Sequence, residues 1–94
     1  MSEGVVLSNL ISTVKPTYPR FAVITRTQGT VILEAVITRE GTIDKSRLRV
    51  LSTASPLLTP AAIEAVEQWR YRPTLLSGKP VEVLTTITVN FSLN

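Results

Sequence analysis

The chain of 94 residues contains no cysteine and no histidine. Without thiolate or imidazole side chains it has no histidine-assisted nucleophile, no zinc site of the usual ligands and no disulfide framework. Its seven acidic residues are scattered, and its four glycines stand apart instead of forming a phosphate-binding loop. These absences argue against an enzyme, and we expect no metal and no cofactor.

Long apolar runs are also missing. No run approaches the roughly 18–20 residues of a membrane span, and the apolar residues 5–7 are too few for a signal-peptide core. The 44% apolar and 18% charged residues instead predict one small globular domain. We expect residues 15–94 to form this domain and residues 1–14 to be an extended N-terminal arm, partly linker or a start added for expression. Any membrane anchor is then expected outside this chain.

Two helices are predicted. Pro19 suits a first helical turn, so a short helix is expected over about 19–27, with Gly29 after its end. A second helix is expected over about 60–71, with Thr59 as its cap and Pro73 preventing continuation. The second helix has an apolar stripe that ends at Trp69, which we interpret as a core anchor.

Three strands are predicted around these helices. Residues 31–37 are apolar except for Glu34, as expected of a central strand over 30–38, and a turn ending at Gly41 leads into a return strand over 43–52. In the return strand Lys45, Arg47 and Arg49 alternate with a buried face. The last strand, 81–93, alternates most regularly. Connection lengths predict an α+β fold with chain order arm-α-β-β-α-β, a three-stranded antiparallel sheet of order 2-1-3, and both helices on one face.

The last strand is predicted to be an edge. Residues 81–93 exceed the usual strand of about five or six residues, so part of this length is expected to lack an intramolecular partner. The stretch also has no lysine, arginine or proline, which normally protect an exposed edge from pairing. We therefore predict that the domain binds an extended peptide by strand addition.

Two short motifs resemble a known family. Residues 15–19 read Lys-Pro-Thr-Tyr-Pro and residues 69–73 read Trp-Arg-Tyr-Arg-Pro. With the turns between and after them, they resemble the C-terminal domain of the TonB family over roughly residues 14–93. The matching positions are Pro16, Tyr18 and Pro19, then Trp69, Arg70, Tyr71 and Pro73, and at the turns Gly29, Gly41, Gly78, Pro80 and Val81.

The resemblance implies a periplasmic peptide-binding domain of an energy transducer anchored in the inner membrane. Its partners would be the TonB box of an outer-membrane receptor and, through the anchor, inner-membrane proton-channel proteins. Lys15 stands where well-studied enterobacterial members of the family have a box-contacting glutamine. The implied partner-binding residues are Lys15, Pro16, Tyr18, Pro19, Val81, Glu82, Val83, Leu84, Thr85, Thr86, Ile87, Thr88, Val89, Asn90 and Phe91.

Other interpretations remain open. The last strand is also suited to pairing with itself, which would make a homodimer or a homo-oligomerising module, and the same fold occurs in modules appended to sensor proteins. Tyr18 either supports the first helix or contacts a peptide. A nucleic-acid-binding module would use the basic face of the return strand, but no aromatic residues interleave with those charges, and the net charge is only +3. We therefore expect no nucleic-acid partner.

Overall fold

The computed structural model describes residues 9–93 as one sheet flanked by helices and two small strand pairs. The helices are α1 (Arg20–Ile24) and α2 (Thr59–Val66), and a 3-10 turn covers Lys45–Arg47. The strands are β1 (Leu10–Ser12), β2 (Gly29–Ile37), β3 (Arg49–Thr53), β4 (Arg70–Tyr71), β5 (Thr74–Leu76), β6 (Lys79–Val81) and β7 (Val83–Phe91).

The central sheet is antiparallel with the order β3-β2-β7, which confirms the predicted α+β fold and its strand order. β2 and β7 pair residue by residue, from Gly29 opposite Phe91 to Ile37 opposite Val83, without a bulge. The smaller sheets are β1 with β4 and β5 with β6. Neither helix of residues 9–93 is long and apolar enough to cross a membrane.

One face of the sheet is buried and the other is open. Side chains of β2 and β7 alternate across the sheet, so the odd-numbered ones share the inner face. Both helices contribute to the same apolar core, which confirms that they lie on one face. The buried core residues are Ala22, Val31, Leu33, Ala35, Ile37, Ile43, Leu58, Ala62, Val66, Tyr71, Val83, Ile87, Val89 and Phe91.

The predicted return strand is only partly correct. Instead of a strand over 43–52 with one buried face, Lys45–Arg47 forms a 3-10 turn and β3 is exposed along its whole length. The turn begins where the Asp44 side chain accepts a hydrogen bond from the Ser46 amide. β3 then lies at the edge of the sheet, where Val50 remains 41% exposed although it pairs with buried Leu33.

Both helices are shorter than predicted. α2 ends at Val66, and Leu58, not Thr59, occupies its N-cap position; the Thr59 hydroxyl donates to the Ser55 carbonyl instead. Trp69 therefore lies beyond the helix. Its ring is half-buried against the core and its Nε1–H donates to the Val14 carbonyl at 3.1 Å. The tryptophan thus borders the core and also fixes the N-terminal segment.

The described part of the predicted arm is docked on the domain. β1 pairs with β4, Leu10 lies opposite Tyr71, and the Arg72 amide donates to the Asn9 carbonyl at 2.6 Å. β4 also forms a bridge from Arg70 to Thr42 beside the β2–β3 hairpin. This ribbon connects residues 9–12 to the hairpin end of the sheet. Residues 1–8 of the predicted arm lie outside the described residues.

Candidate functional site

The outer edge of β7 is the longest unpaired strand edge among residues 9–93. All nine residues of β7 pair with β2 on the other side, so the prediction that part of this strand lacks an intramolecular partner is wrong. The strand is shorter than predicted because residues 79–81 belong to the separate strand β6, which pairs with β5. The unpaired feature is therefore the outer edge of β7 along its whole length, and not an unpaired end of the strand.

Hydrogen bonds on the far side of β2 identify the backbone groups at this open edge. They are Ala54 N to Thr30 O, Asp44 N to Val36 O, and Thr38 N to Thr42 O, at 3.0, 2.9 and 2.8 Å. Even-numbered residues of β2 therefore face β3, and odd-numbered ones face β7, because the direction alternates along a strand. Their partners in β7 are odd-numbered as well. The N–H and C=O groups directed to the open edge are those of Leu84, Thr86, Thr88 and Asn90.

The same alternation separates the side chains of the predicted binding segment. Val83, Thr85, Ile87, Val89 and Phe91 are buried in the core. The even-numbered side chains are exposed on the open face of the sheet, and Leu84 is 65% exposed. Val81 pairs with Thr74, and Glu82 binds Arg47, so both lie outside the open edge of β7. Within the predicted segment, the even-numbered residues 84–90 combine exposed side chains with outward backbone groups.

The opposite edge of the sheet is better protected against pairing. β3 has only five residues, begins with Arg49, and is interrupted by an irregularity between its pairings with Ile32 and Leu33. Short length, a charged residue and a bulge each discourage the addition of another strand. β7 has nine residues, regular pairing and no charged residue. The β3 edge is thus protected against strand addition and the β7 edge is not, as expected if only β7 is used for binding.

The segment 15–19 lies beside α2 and the end of β7. The Tyr18 ring packs edge-on against Phe91, with the ring centroids 5.4 Å apart, and its hydroxyl donates to the Thr27 carbonyl. Pro19 precedes α1 as its N-cap residue, and Pro16 is half-buried. Tyr18 therefore supports both the first helix and the last strand. It joins this segment to β7 at the Phe91 end.

Lys15 lies in a groove instead of at the β7 edge. A cavity of about 250 Å³ separates the segment from α2. It is lined by Val14, Lys15, Thr17, Pro60, Ala61, Glu64, Ala65 and Gln68. The sequence indicated only the first side of this groove, because the second helix was interpreted only through its apolar core stripe. The small residues Ala61 and Ala65, one turn apart on α2, were the available signal.

The remaining positions that match the family, which we expect to have structural roles, occupy turns and the small strand pairs. Arg70 and Tyr71 form β4, and Pro73 separates β4 from β5. Tyr71 is buried, and this burial raises the pKa of its phenol. Gly29 begins β2, Gly41 lies against Tyr71, Gly78 is at the β5–β6 turn, and Pro80 is opposite Leu75 in β6.

An ion-pair cluster fixes the start of β7. The Arg47 guanidinium donates to Asp44 Oδ2 at 2.7 Å and to Glu82 Oε1 at 3.1 Å. The pKa of Glu82 is lowered, mainly by its hydrogen bond with Arg47. The pKa of Asp44 is lowered by hydrogen bonds from Ser46 and then Arg47, and the pKa of Arg47 is raised by Glu82 and then Asp44. With Arg49 facing Glu34 at 3.5 Å, two of the three predicted basic-face residues are neutralised.

Acidification is expected to weaken this cluster. A carboxylate whose pKa is lower in the folded state stabilises the fold above its unfolded pKa, and this contribution is lost as the pH falls. The stability contributed by this cluster is therefore lost at pH values below the ordinary pKa values of 4.5 for Glu82 and 3.8 for Asp44. We expect Arg47→Met to lose less stability than the wild type when urea unfolding is compared at pH 6 and pH 3. Equal losses would show that the cluster does not couple folding to pH.

Potential metal ligands do not cluster within residues 9–93: no group of three or more acidic residues could hold an ion. The candidate functional features of residues 9–93 are an open strand edge, the Tyr18 contact at its end and the groove beside α2. These features are suited to binding a polypeptide.

Comparison with known proteins agrees with this architecture. The chain is 35% identical over 80 residues to "Protein TonB" of Vibrio cholerae; the match covers 85% of this chain but only 32% of that protein. The solution structure of the Pseudomonas aeruginosa TonB CTD matches with a TM-score of 0.74 and 28% identity, covering 89% of this chain and 84% of that one. The family model described as Gram-negative bacterial TonB protein C-terminal matches residues 14–93, and the chain therefore belongs to this family.

Proposed function

We propose that the chain is the receptor-binding domain of a TonB-like energy transducer and binds an extended peptide along the open edge of β7. The observation that carries the proposal is the continuous edge at which Leu84, Thr86, Thr88 and Asn90 direct their backbone groups outward. A peptide placed there would become the fourth strand of the sheet and satisfy these groups. The peptide would be the TonB box of an outer-membrane receptor.

The surroundings of the edge support this choice of ligand. The four exposed side chains beside the outward backbone groups are uncharged, and three of them are polar. They therefore give little discrimination between peptides by charge. Backbone pairing would therefore provide most of the affinity, and side-chain specificity would come from the ends of the strand. Tyr18 lies at the Phe91 end, where it packs against β7. Lys15 then contributes only if the peptide continues past Tyr18 into the groove beside α2.

The cellular role follows from the family and is also a proposal. The domain would lie in the periplasm and belong to a protein anchored in the inner membrane. Inner-membrane proton-channel proteins would supply energy through other parts of that protein, and movement of the bound peptide would open the receptor for import. The function is binding and force transfer, with no catalysis and no cofactor.

A proline substitution tests the edge directly. The amide of Thr86 faces outward, so Thr86→Pro removes one donor at the open edge while leaving the hydrogen bonds between β7 and β2 in place. We expect the affinity for synthetic peptides copied from the N-termini of receptor plugs to fall at least tenfold, about 1.4 kcal/mol. Isothermal titration calorimetry would measure the affinity, and circular dichroism would check the fold.

The matched control is Thr86→Val, which retains the amide and has a good strand propensity. Its affinity should remain near that of the wild type. An equal loss in both variants would instead assign the contact to the threonine side chain. A folded proline variant with full affinity would place the peptide elsewhere, with the groove at Lys15 as the next location to examine.

Self-pairing is the second candidate, because the same unprotected edge suits another copy of the chain. Two β7 strands would pair antiparallel and extend the sheet across a dimer. In that case peptide would fail to compete with self-association, and sedimentation at high concentration would show a dimer that Thr86→Pro dissociates. A dimer unaffected by this substitution would lie on a different surface.

A further inference from the structure

The β5–β6 hairpin is a narrow ribbon formed by Thr74–Leu76 and Lys79–Val81. Leu76 pairs with Lys79, and the two residues between them, Ser77 and Gly78, have φ angles of 52° and 79°. Positive φ at both central positions is the geometry of a type I′ turn, which matches the twist of a two-stranded hairpin. The two strands pack chiefly against each other. The hairpin is therefore locally well formed but receives little support from the rest of the domain.

Both faces of this ribbon carry an exposed leucine. Leu75 is 61% exposed and Leu76 is 67% exposed. Successive residues of a strand point to opposite faces, so the two leucines cannot both be explained by one incompletely covered face. Neither face of the hairpin end is packed on the domain. A two-stranded hairpin is marginally stable by itself, and two exposed leucines at its end do not stabilise the isolated domain.

The charged residues of the hairpin and of the segment that precedes it have one sign. Residues 68–81 contain Arg70, Arg72 and Lys79 and no acidic residue. All three basic residues are exposed, and none takes part in an ion pair among residues 9–93. Lys79 lies directly opposite Leu76, next to the turn. This combination differs from the start of β7, where Arg47 is neutralised by two carboxylates.

We propose that the β5–β6 hairpin is a membrane-contacting element that inserts its two leucines into the interface of a bilayer containing anionic phospholipids. A flat protein surface would cover only one face of the ribbon, whereas lipid surrounds an inserted ribbon and covers both leucines. Lys79, Arg72 and Arg70 would remain at the level of the headgroups and pair with lipid phosphates. Apolar insertion combined with basic residues is the usual composition of reversible membrane binding. This inference does not depend on the proposed peptide site.

Vesicle co-sedimentation of the 94-residue chain tests the proposal. We expect stronger binding to vesicles of phosphatidylethanolamine with phosphatidylglycerol than to vesicles of phosphatidylcholine, and a decrease with added salt. The double variant Leu75→Ser/Leu76→Ser should lower the partition coefficient at least tenfold. Lys79→Gln should lower binding to the anionic vesicles and reduce its salt dependence. Circular dichroism would confirm that each variant folds, which is expected because the substituted residues lie outside the core.

The matched control is Leu51→Ser/Leu57→Ser, which removes two leucines that are 47% and 41% exposed elsewhere on the domain. This variant should bind vesicles like the wild type, and so should Thr86→Pro. Three results would overturn the proposal. In the first, the wild type binds the anionic vesicles no more strongly than phosphatidylcholine vesicles; in the second, the hairpin variant binds vesicles as strongly as the wild type; in the third, the control variant loses as much vesicle binding as the hairpin variant. If the hairpin variant instead lost only peptide affinity, the two leucines would belong to a protein interface.

Discussion

Replacing Leu33 with alanine is expected to lower the free energy of unfolding by about 3–5 kcal/mol. Leu33 is fully buried in the middle of β2, and the strands on both sides restrict how far the structure can close around a cavity. Its partner across the ladder is buried Ile87, so the cavity would open between the sheet and the helices. In a domain of this size the loss is a large part of the total stability.

Urea unfolding followed by circular dichroism would measure the loss of stability in Leu33→Ala. Ile32→Ala is the control, because Ile32 is the next residue on the same strand, is only half-buried and lies on the open face. Its loss should be clearly smaller. If both substitutions destabilised the domain equally, the open face would have to be covered in solution, and the assignment of one core to one face would be wrong.

The sequence predicted those parts of the fold in which the hydrophobic pattern and the chain connections agree. The alternation in residues 83–91 and the apolar run around Leu33 survive in the structure because the odd-numbered side chains from Val31 to Ile37 and from Val83 to Phe91 are buried on one face of the sheet. The short turn ending at Gly41 fixed the β2–β3 hairpin, and the long connection through α2 left β7 on the other side of β2. Local patterns of this kind do not depend on distant contacts.

The return strand was predicted poorly because its conformation depends on tertiary contacts. Leu48 and Val50 have the spacing of a buried face, but β3 is an edge strand at which the core ends, and Val50 is left partly exposed. The Asp44 side chain begins a 3-10 turn by accepting from the Ser46 amide, and this local hydrogen bond replaces the expected strand. The division of 81–93 into β6 and β7 has the same origin, since β6 exists only through its pairing with β5.

The sequence predicted which strand forms the candidate site, but not which backbone N–H and C=O groups of that strand face outward. Alternation separated exposed from buried side chains, yet the identity of the outward amides depends on which residues of β2 bind β3, as at Thr30 and Val36. Side-chain alternation alone does not supply this parity, because it does not say on which side of β2 each neighbouring strand lies. The Tyr18 contact with Phe91 joins residues far apart in the chain, and only the fold brings them together.

Gly41→Ala is expected to destabilise the domain by about 2–5 kcal/mol, the sum of two effects. Gly41 has φ +88°, a conformation that costs an L-residue with a Cβ about 1–2 kcal/mol. An added Cβ would also overlap the Tyr71 carbonyl oxygen and lie 2.9 Å from the Tyr71 carbonyl carbon. Relieving such overpacking typically costs about 1–3 kcal/mol, and backbone atoms cannot rotate away as a side chain does.

Gly78→Ala separates these two effects. Gly78 has a similar φ of +79°, but nothing lies within 4 Å of the position of its added Cβ. It should therefore show only the conformational loss of about 1–2 kcal/mol. Urea unfolding would measure both variants, and hydrogen exchange of the Tyr71 amide, which donates to the Gly41 carbonyl at 2.8 Å, would report whether β4 separates from the hairpin. Equal losses in the two variants, with the Tyr71 amide still protected, would mean that β4 moves aside without cost and that the ribbon of β1 and β4 is not rigidly fixed to the sheet.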